Sequence, residues 1–244
     1  MVLQGCIRKF FAITIFAVVL VVSTSVSHAS EDKQSTIIVL DASASMANRL
    51  GDGTRLDAAK RAVTKIVKEA SQHAPDHQVG LVSFYDGCWV DLMVRPAPLL
   101  NAKTHLLSQV ASLQTREYGH TPIAKSLEIA AGLLNGEKGS VILVSDGQES
   151  CDEVLDLCAL ATRLKNENIS FKVNLIGLAL SKKQKSALLC IAENTGGVFL
   201  TADDSKALQS VLGIVAKQAI QETVPRCTDN RGGFIHFWCP DESQ

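Results

Sequence analysis

Ser35-Thr-Ile-Ile-Val-Leu40 runs directly into Asp41-Ala-Ser-Ala-Ser45, and the change of character at that junction decides the fold. The first part is short and β-branched, and it lacks the alternation of a half-solvated strand. It therefore reads as a strand buried on both faces. A polar, glycine-containing loop follows, and then Leu56, Ala59, Val63, Ile66, Val67 and Ala70 recur at helical spacing. A buried strand feeding a loop and then an amphipathic helix is the first half of a strand–helix–strand unit.

The same alternation continues along the chain. Val79 to Phe84 reads as a second strand, Asp86-Gly87 as a turn, and Trp89 to Val94 as its hairpin partner, with Pro96 and Pro98 ending the sheet pattern. Thr121-Pro122 stands where a helix cap and first-turn proline belong. Behind it Ile123, Leu127, Ala130, Ala131 and Leu134 form an apolar stripe. Val141 to Val144 predicts a buried strand, Val154 to Leu164 a helix, Phe171 to Leu178 a strand and Lys182 to Glu193 a helix. Gly196-Gly197 opens a short strand, Val198 to Thr201, and Leu208, Val211, Leu212, Val215 and Ala219 mark a last helix. The pattern implies an α/β domain with a mostly parallel sheet covered on both faces.

Of the 244 residues, 46% are hydrophobic and 20% charged, with 24 Lys+Arg against 25 Asp+Glu. That balance excludes a disordered, collagen-like or multi-span membrane chain, and it gives no electrostatic support for a nucleic-acid partner. At the amino end, Arg8 and Lys9 precede the apolar run Phe10 to Val22, and small Ser27 and Ala29 stand at −3 and −1 of a cleavage position. Residues 1–29 therefore read as a secretory signal peptide. The run is short for a transmembrane helix, so no membrane span is expected after cleavage, and the destination is periplasmic or extracellular.

Ligands of open α/β sheets bind beyond the carboxyl ends of the strands, near the point where strand order reverses. Three loops there carry oxygen ligands: Asp41, Ser43 and Ser45 after the first strand, Thr121 before the Ile123 helix, and Asp146 after Val141–Ser145. Two carboxylates and three hydroxyls suit a hard cation, Mg²⁺ or Mn²⁺. Neutral hydroxyls as direct ligands leave the ion electrophilic with a corner open. Such a site is a socket for an Asp or Glu of a protein partner. A phosphotransfer pair would need a second Asp two residues after Asp41, where Ser43 stands, and no Gly-x-Ser-x-Gly elbow occurs.

These residues resemble the von Willebrand factor type A family, whose metal-ion-dependent adhesion site uses Asp-x-Ser-x-Ser, a Thr and an Asp on three successive loops. The resemblance covers roughly residues 35–220 and implies a Rossmann-like fold. Its central, mostly parallel six-stranded sheet carries one antiparallel edge strand, with helices on both faces. It also implies direct coordination by Ser43, Ser45 and sometimes Thr121, with Asp41 and Asp146 often acting through water. Val144 to Cys151, Cys158-Ala-Leu-Ala and Cys190 to Gly197 look like secreted bacterial members.

Loss of residues 1–29 removes Cys6 and leaves Cys88, Cys151, Cys158, Cys190, Cys227 and Cys239, an even set suited to disulfides in an oxidising compartment. Cys151 and Cys158 can pair if the loop after Asp146 folds back on the helix start. Cys227 and Cys239 can close a hairpin in the tail, residues 221–244. Cys88 and Cys190 then pair with each other or stay free. The expectation is a secreted or periplasmic binding module and not an enzyme. The alternatives are a metal-assisted hydrolase with His120 or Glu149 as base, or a domain in which the metal is purely structural.

Overall fold

The computed structural model describes residues 34–152, 156–168, 170–204 and 207. The expected signal peptide, the helix expected from Leu208, the tail and the expected Cys227–Cys239 pairing lie outside the described residues.

Strand β1, Ser35–Asp41, is buried along its whole length. It lies between β4, Gln78–Phe84, and β6, Gly139–Ser145, and pairs in parallel with both. β7, Phe171–Leu178, and β8, Phe199–Ala202, extend the sheet beyond β6 in parallel, and β5, Asp91–Pro98, runs antiparallel on the edge beside β4. The order is β5-β4-β1-β6-β7-β8, six strands with one antiparallel edge. A small hairpin, β2 (Arg49–Leu50) and β3 (Gly53–Thr54), leads into α1.

Successive side chains of a strand point to opposite faces, so each strand feeds two cores. Ile38, Leu40, Leu81, Ile142 and Val144 pack with α1 (Arg55–His73) and α2 (Leu99–Ser112). Ile37, Val39, Phe84, Val141 and Leu143 pack with α3 (Ile123–Leu134), α4 (Leu157–Glu167) and α5 (Lys182–Thr195). Helices therefore cover both faces, as the alternation predicts. Each Leu, Ile, Val or Phe side chain so buried contributes about 1.5–3 kcal/mol relative to exposure.

Several boundaries differ from the sequence reading. Pro96 and Pro98 do not end the sheet: β5 continues to Pro98, with its register shifted between Val79 and Val82 of β4. An edge strand tolerates proline because its outward N–H has no ladder partner to lose. Helix α2 was not anticipated, although Leu99, Ala102, Leu106 and Val110 supply its buried stripe. Helix α4 begins at Leu157, later than Val154, because the Asp156 carboxylate accepts from the Cys158 and Ala159 amides and fixes the start there. Thr121 makes no side-chain cap; Pro122 is the N-cap of α3. No helix among the described residues is long and apolar enough to cross a membrane.

The cysteine pairing is also corrected. Cys151 bonds to Cys88 (Cα–Cα 5.7 Å) and Cys158 to Cys190 (5.4 Å), so the Cys151–Cys158 pairing does not form, and Cys88 and Cys190 neither pair together nor stay free. Cys158 lies in the first turn of α4, which packs on α5, and Asn194 of α5 donates to the Cys158 carbonyl at 3.0 Å. Cys151 sits in the loop after β6, beside the β4–β5 loop that carries Cys88. Proximity created by sheet order outranks proximity along the chain.

Candidate functional site

Strand β1 is the point where chain progression reverses: α1 carries it to β4 on one side, and α3 later brings β6 to the other. Because both pairings are parallel and in register, the carboxyl ends of β1 and β6 emerge together. This brings Asp41 and Asp146 to one crevice.

Within the first loop, Asp41 Oδ1 accepts the Ser43 amide at 2.8 Å, and Ser45 lies in a short 3₁₀ turn, Ala44–Ala47. The Ser43 and Ser45 hydroxyls are 3.3 Å apart, and Ser45 Oγ donates to Asp146 Oδ1 at 2.6 Å. Asp41 Oδ2 accepts from Ser145 Oγ, which links the two strand ends directly. Asp41, Ser43 and Asp146 are almost fully buried, whereas Ser45 is half-buried and opens toward solvent.

Thr121 is fixed from both sides. Its amide donates to Ser150 Oγ at 2.9 Å, and the Ser150 amide returns a bond to the Thr121 carbonyl at 3.2 Å. On the other side Gly87 donates to the Tyr118 carbonyl and the His120 amide to the Gly87 carbonyl, each at 3.1 Å. The Cys88–Cys151 bridge joins those two flanking loops, so the Thr121 segment is clasped between them. Gly119 makes the approach possible: a Cβ there would meet Tyr85 O at 2.7 Å and Ala44 N at 3.0 Å. At Gly147 a Cβ would lie 3.5 Å from Thr121 Oγ1, which places that hydroxyl beside the Asp146 loop.

All five sequence-predicted residues therefore line one crevice. Four are joined by a hydrogen-bonded chain from Asp41 through Ser43 and Ser45 to Asp146, and Thr121 stands at its side. Sequence reasoning missed Arg55, Ser145, Ser150 and Gln184. Arg55 Nη1 binds Asp146 Oδ2 at 2.6 Å, and Gln184 Nε2 reaches the Asp146 carbonyl at 3.3 Å. The one sequence signal for Arg55 was its place in the first turn of a helix, where the macrodipole favours an anion.

The charges do not balance. Arg55 neutralises one carboxylate, and among the described residues no cation pairs with Asp41. Burial first, and then the charge of Asp146, push the Asp41 carboxyl up to about 6, against the lowering effect of its bonds from Ser145 and Ser43. A buried oxygen-only donor set with surplus negative charge fits a hard divalent cation. Among the described residues no group of three or more His, Cys, Asp and Glu side chains forms a cage, because the remaining donors here are hydroxyls.

The other candidate groups lie differently. His120 is exposed on its loop. Glu149 is structural: Oε2 accepts the Ala124 amide at 2.8 Å, serving the start of α3, and Oε1 accepts the Cys151 and Asp152 amides.

Comparison with known proteins agrees with the fold. Residues 36–148 match the family model of the von Willebrand factor type A domain. A Bacillus subtilis protein of uncharacterized function, YwmC, is 29% identical over 190 residues, covering 71% of this chain and 79% of its own. The pilus adhesin SpaC from Lactobacillus rhamnosus GG shares the fold with a TM-score of 0.64 at 17% identity, over 78% of this chain and 31% of its own. A von Willebrand factor type A protein from Catenulispora acidiphila gives 0.63 at 16%, over 78% and 43%. This chain thus spans less than half of each of those two structures, and at such identities the likeness is one of fold. Sheet order, antiparallel edge and helical layers give the described region the fold of von Willebrand factor type A domains, and residues 36–148 match that family's model.

Proposed function

We propose that this domain is a secreted or periplasmic binding module. It holds Mg²⁺ or Mn²⁺ at Asp41, Ser43, Ser45, Thr121 and Asp146, and it recognises a protein partner through an Asp or Glu of that partner. The observation that carries the reading is the pair of buried carboxylates in one hydroxyl-lined crevice with a single guanidinium to balance them. When bound, the ion supplies an electrophilic corner that accepts a carboxylate oxygen from outside the chain. Ser43, Ser45 and Thr121 would offer neutral oxygens, and Asp41 and Asp146 would orient them and supply charge. Ser145 and the Ser43 amide hold Asp41 in place for that role.

No catalytic step is assigned. Metal-assisted hydrolysis needs a general base poised at the crevice. Glu149 is occupied by three backbone amides, and His120 is turned to solvent. Two disulfides suit an oxidising compartment, in keeping with secretion. The pilus-adhesin neighbour makes partner binding at this crevice a natural use of the fold.

Calorimetric titration of the folded protein with Mg²⁺ and Mn²⁺ tests the reading, alongside Asp41→Asn, which keeps the shape of the side chain and removes its charge. Saturable binding to wild type and its loss in Asp41→Asn are expected. Equal binding to both, or none to wild type, overturns the assignment. Capture of an envelope protein by wild type with Mg²⁺, lost with chelator and in Asp41→Asn, tests the partner half.

A further inference from the structure

We infer that Arg55 is an internal counter-ion of the metal site, holding Asp146 while the site is empty of metal and giving up that carboxylate when the cation enters. The inference rests on the metal-binding reading above and adds a residue that sets the affinity.

The argument begins at the helix start. α1 opens with a capping box in which Thr54 Oγ1 accepts the Asp57 amide and the Asp57 carboxylate accepts the Thr54 amide. The first turn is thus already provided with an acid of its own, in the place where acids belong. Arg55, next to the cap, is a cation set against the positive end of the helix dipole, and nothing in helix formation asks for it. Its side chain is only 20% exposed, and Nη1 donates to Asp146 Oδ2 at 2.6 Å, while Asp146 has no side-chain exposure at all. The other carboxylate oxygen, Oδ1, is taken by Ser45 Oγ. Each Asp146 carboxylate oxygen therefore has a partner, one a site hydroxyl and the other a cation.

The second observation concerns another nitrogen of the same guanidinium. Arg55 Nε is buried and has no hydrogen-bond partner, the one such side-chain atom among the described residues. A buried, unpartnered donor is costly. Among the described residues Asp146 is thus the one hydrogen-bond partner of the Arg55 guanidinium, in a position that wastes one of its donors. That arrangement is stable only while the crevice lacks another cation. A divalent ion on the Ser43–Ser45–Asp146 oxygens competes for the same carboxylate and repels the guanidinium at close range. Release of Arg55 returns Nε to solvent, and the freed guanidinium stands at the crevice where an acidic partner would arrive.

The test compares wild type, Arg55→Gln and Arg55→Lys in calorimetric titration with Mg²⁺ and Mn²⁺ alone, together with thermal unfolding in chelator and in saturating Mg²⁺. Arg55→Gln removes the competing charge and is expected to bind metal at least tenfold tighter than wild type. It should also unfold at lower temperature in chelator and gain more from Mg²⁺. Arg55→Lys keeps the charge and should stay near wild type. In the wild-type protein the Arg55 Nε–H resonance should move on Mg²⁺ addition. Metal binding to wild type with equal or weaker binding to Arg55→Gln overturns the counter-ion role and leaves the metal site standing. Absence of binding in all three proteins overturns the metal reading, and this inference with it. If Arg55→Gln does not fold, an unmoved Arg55 Nε–H resonance during Mg²⁺ saturation of wild type overturns the exchange.

Discussion

Replacing Cys88 and Cys151 together by Ala is the most informative stability experiment on this domain. The bridge spans 63 residues of sequence, from the loop after β4 to the loop after β6. In the chain-entropy model, freeing a loop of that length from its cross-link costs about 4 kcal/mol. For a domain of this size about 1 kcal/mol corresponds to roughly 2–4 °C, so the melting temperature should fall by about 8–16 °C. The alternative pairing of Cys151 with Cys158 closes a far shorter loop and would be worth only about 2 kcal/mol. The bridge also clasps the Thr121 segment, so the double variant should lose metal affinity beyond its loss of stability. Calorimetric unfolding in chelator, with peptide mapping under non-reducing conditions, decides the matter. Recovery of a Cys151–Cys158 peptide, or a melting temperature unchanged in the double variant, would refute the reasoning.

Gly119→Ala puts a methyl group within 2.7 Å of Tyr85 O and 3.0 Å of Ala44 N. Overpacking against backbone should cost about 1–3 kcal/mol by chemical denaturation, with weaker metal binding as the Thr121 loop backs away. Gly132→Ala, inside α3 with nothing within 4 Å of the new Cβ, should instead stabilise by about 0.5–1 kcal/mol, and a loss there would contradict the packing described. Burial depresses His77, which is bonded to Thr36 Oγ1 at 2.8 Å, from 6.5 to about 4. Below pH 6.5 the unfolded chain therefore binds a proton that the folded chain refuses. On the order of 3 kcal/mol of stability should drain away as pH falls from about 6.5 to about 4, and His77→Gln should flatten that part of the profile.

Much of this molecule was legible before any coordinates. Ile37 to Leu40 and Val141 to Val144 are apolar on both faces, and only a strand between two helical layers can bury them so. The boundaries missed were those where context overrules local preference. Pro96 and Pro98 break a central strand but not an edge, and β5 is an edge because no further strand among the described residues pairs on its outer side. Helix α2 has an apolar stripe as regular as that of α3, but the prolines before it read as the end of structure instead of as an entry to a helix.

The sequence by itself determined the oxygen-bearing side chains of the candidate site and their order. Asp41, Ser43, Ser45, Thr121 and Asp146 each stand at a strand end or helix start, and the rule that α/β sheets bind at their carboxyl edge converts order into a shared location. Only the tertiary structure decided which groups surround them. Arg55 beside Asp146, Ser145 beneath Asp41, Glu149 serving α3, and Cys88 joined to Cys151 are all meetings of residues from different elements. Periodicity along one chain records which face of an element is apolar. It carries no record of the rotation and register that set one element's side chains against another's, and those are fixed only when the helical layers close on the sheet.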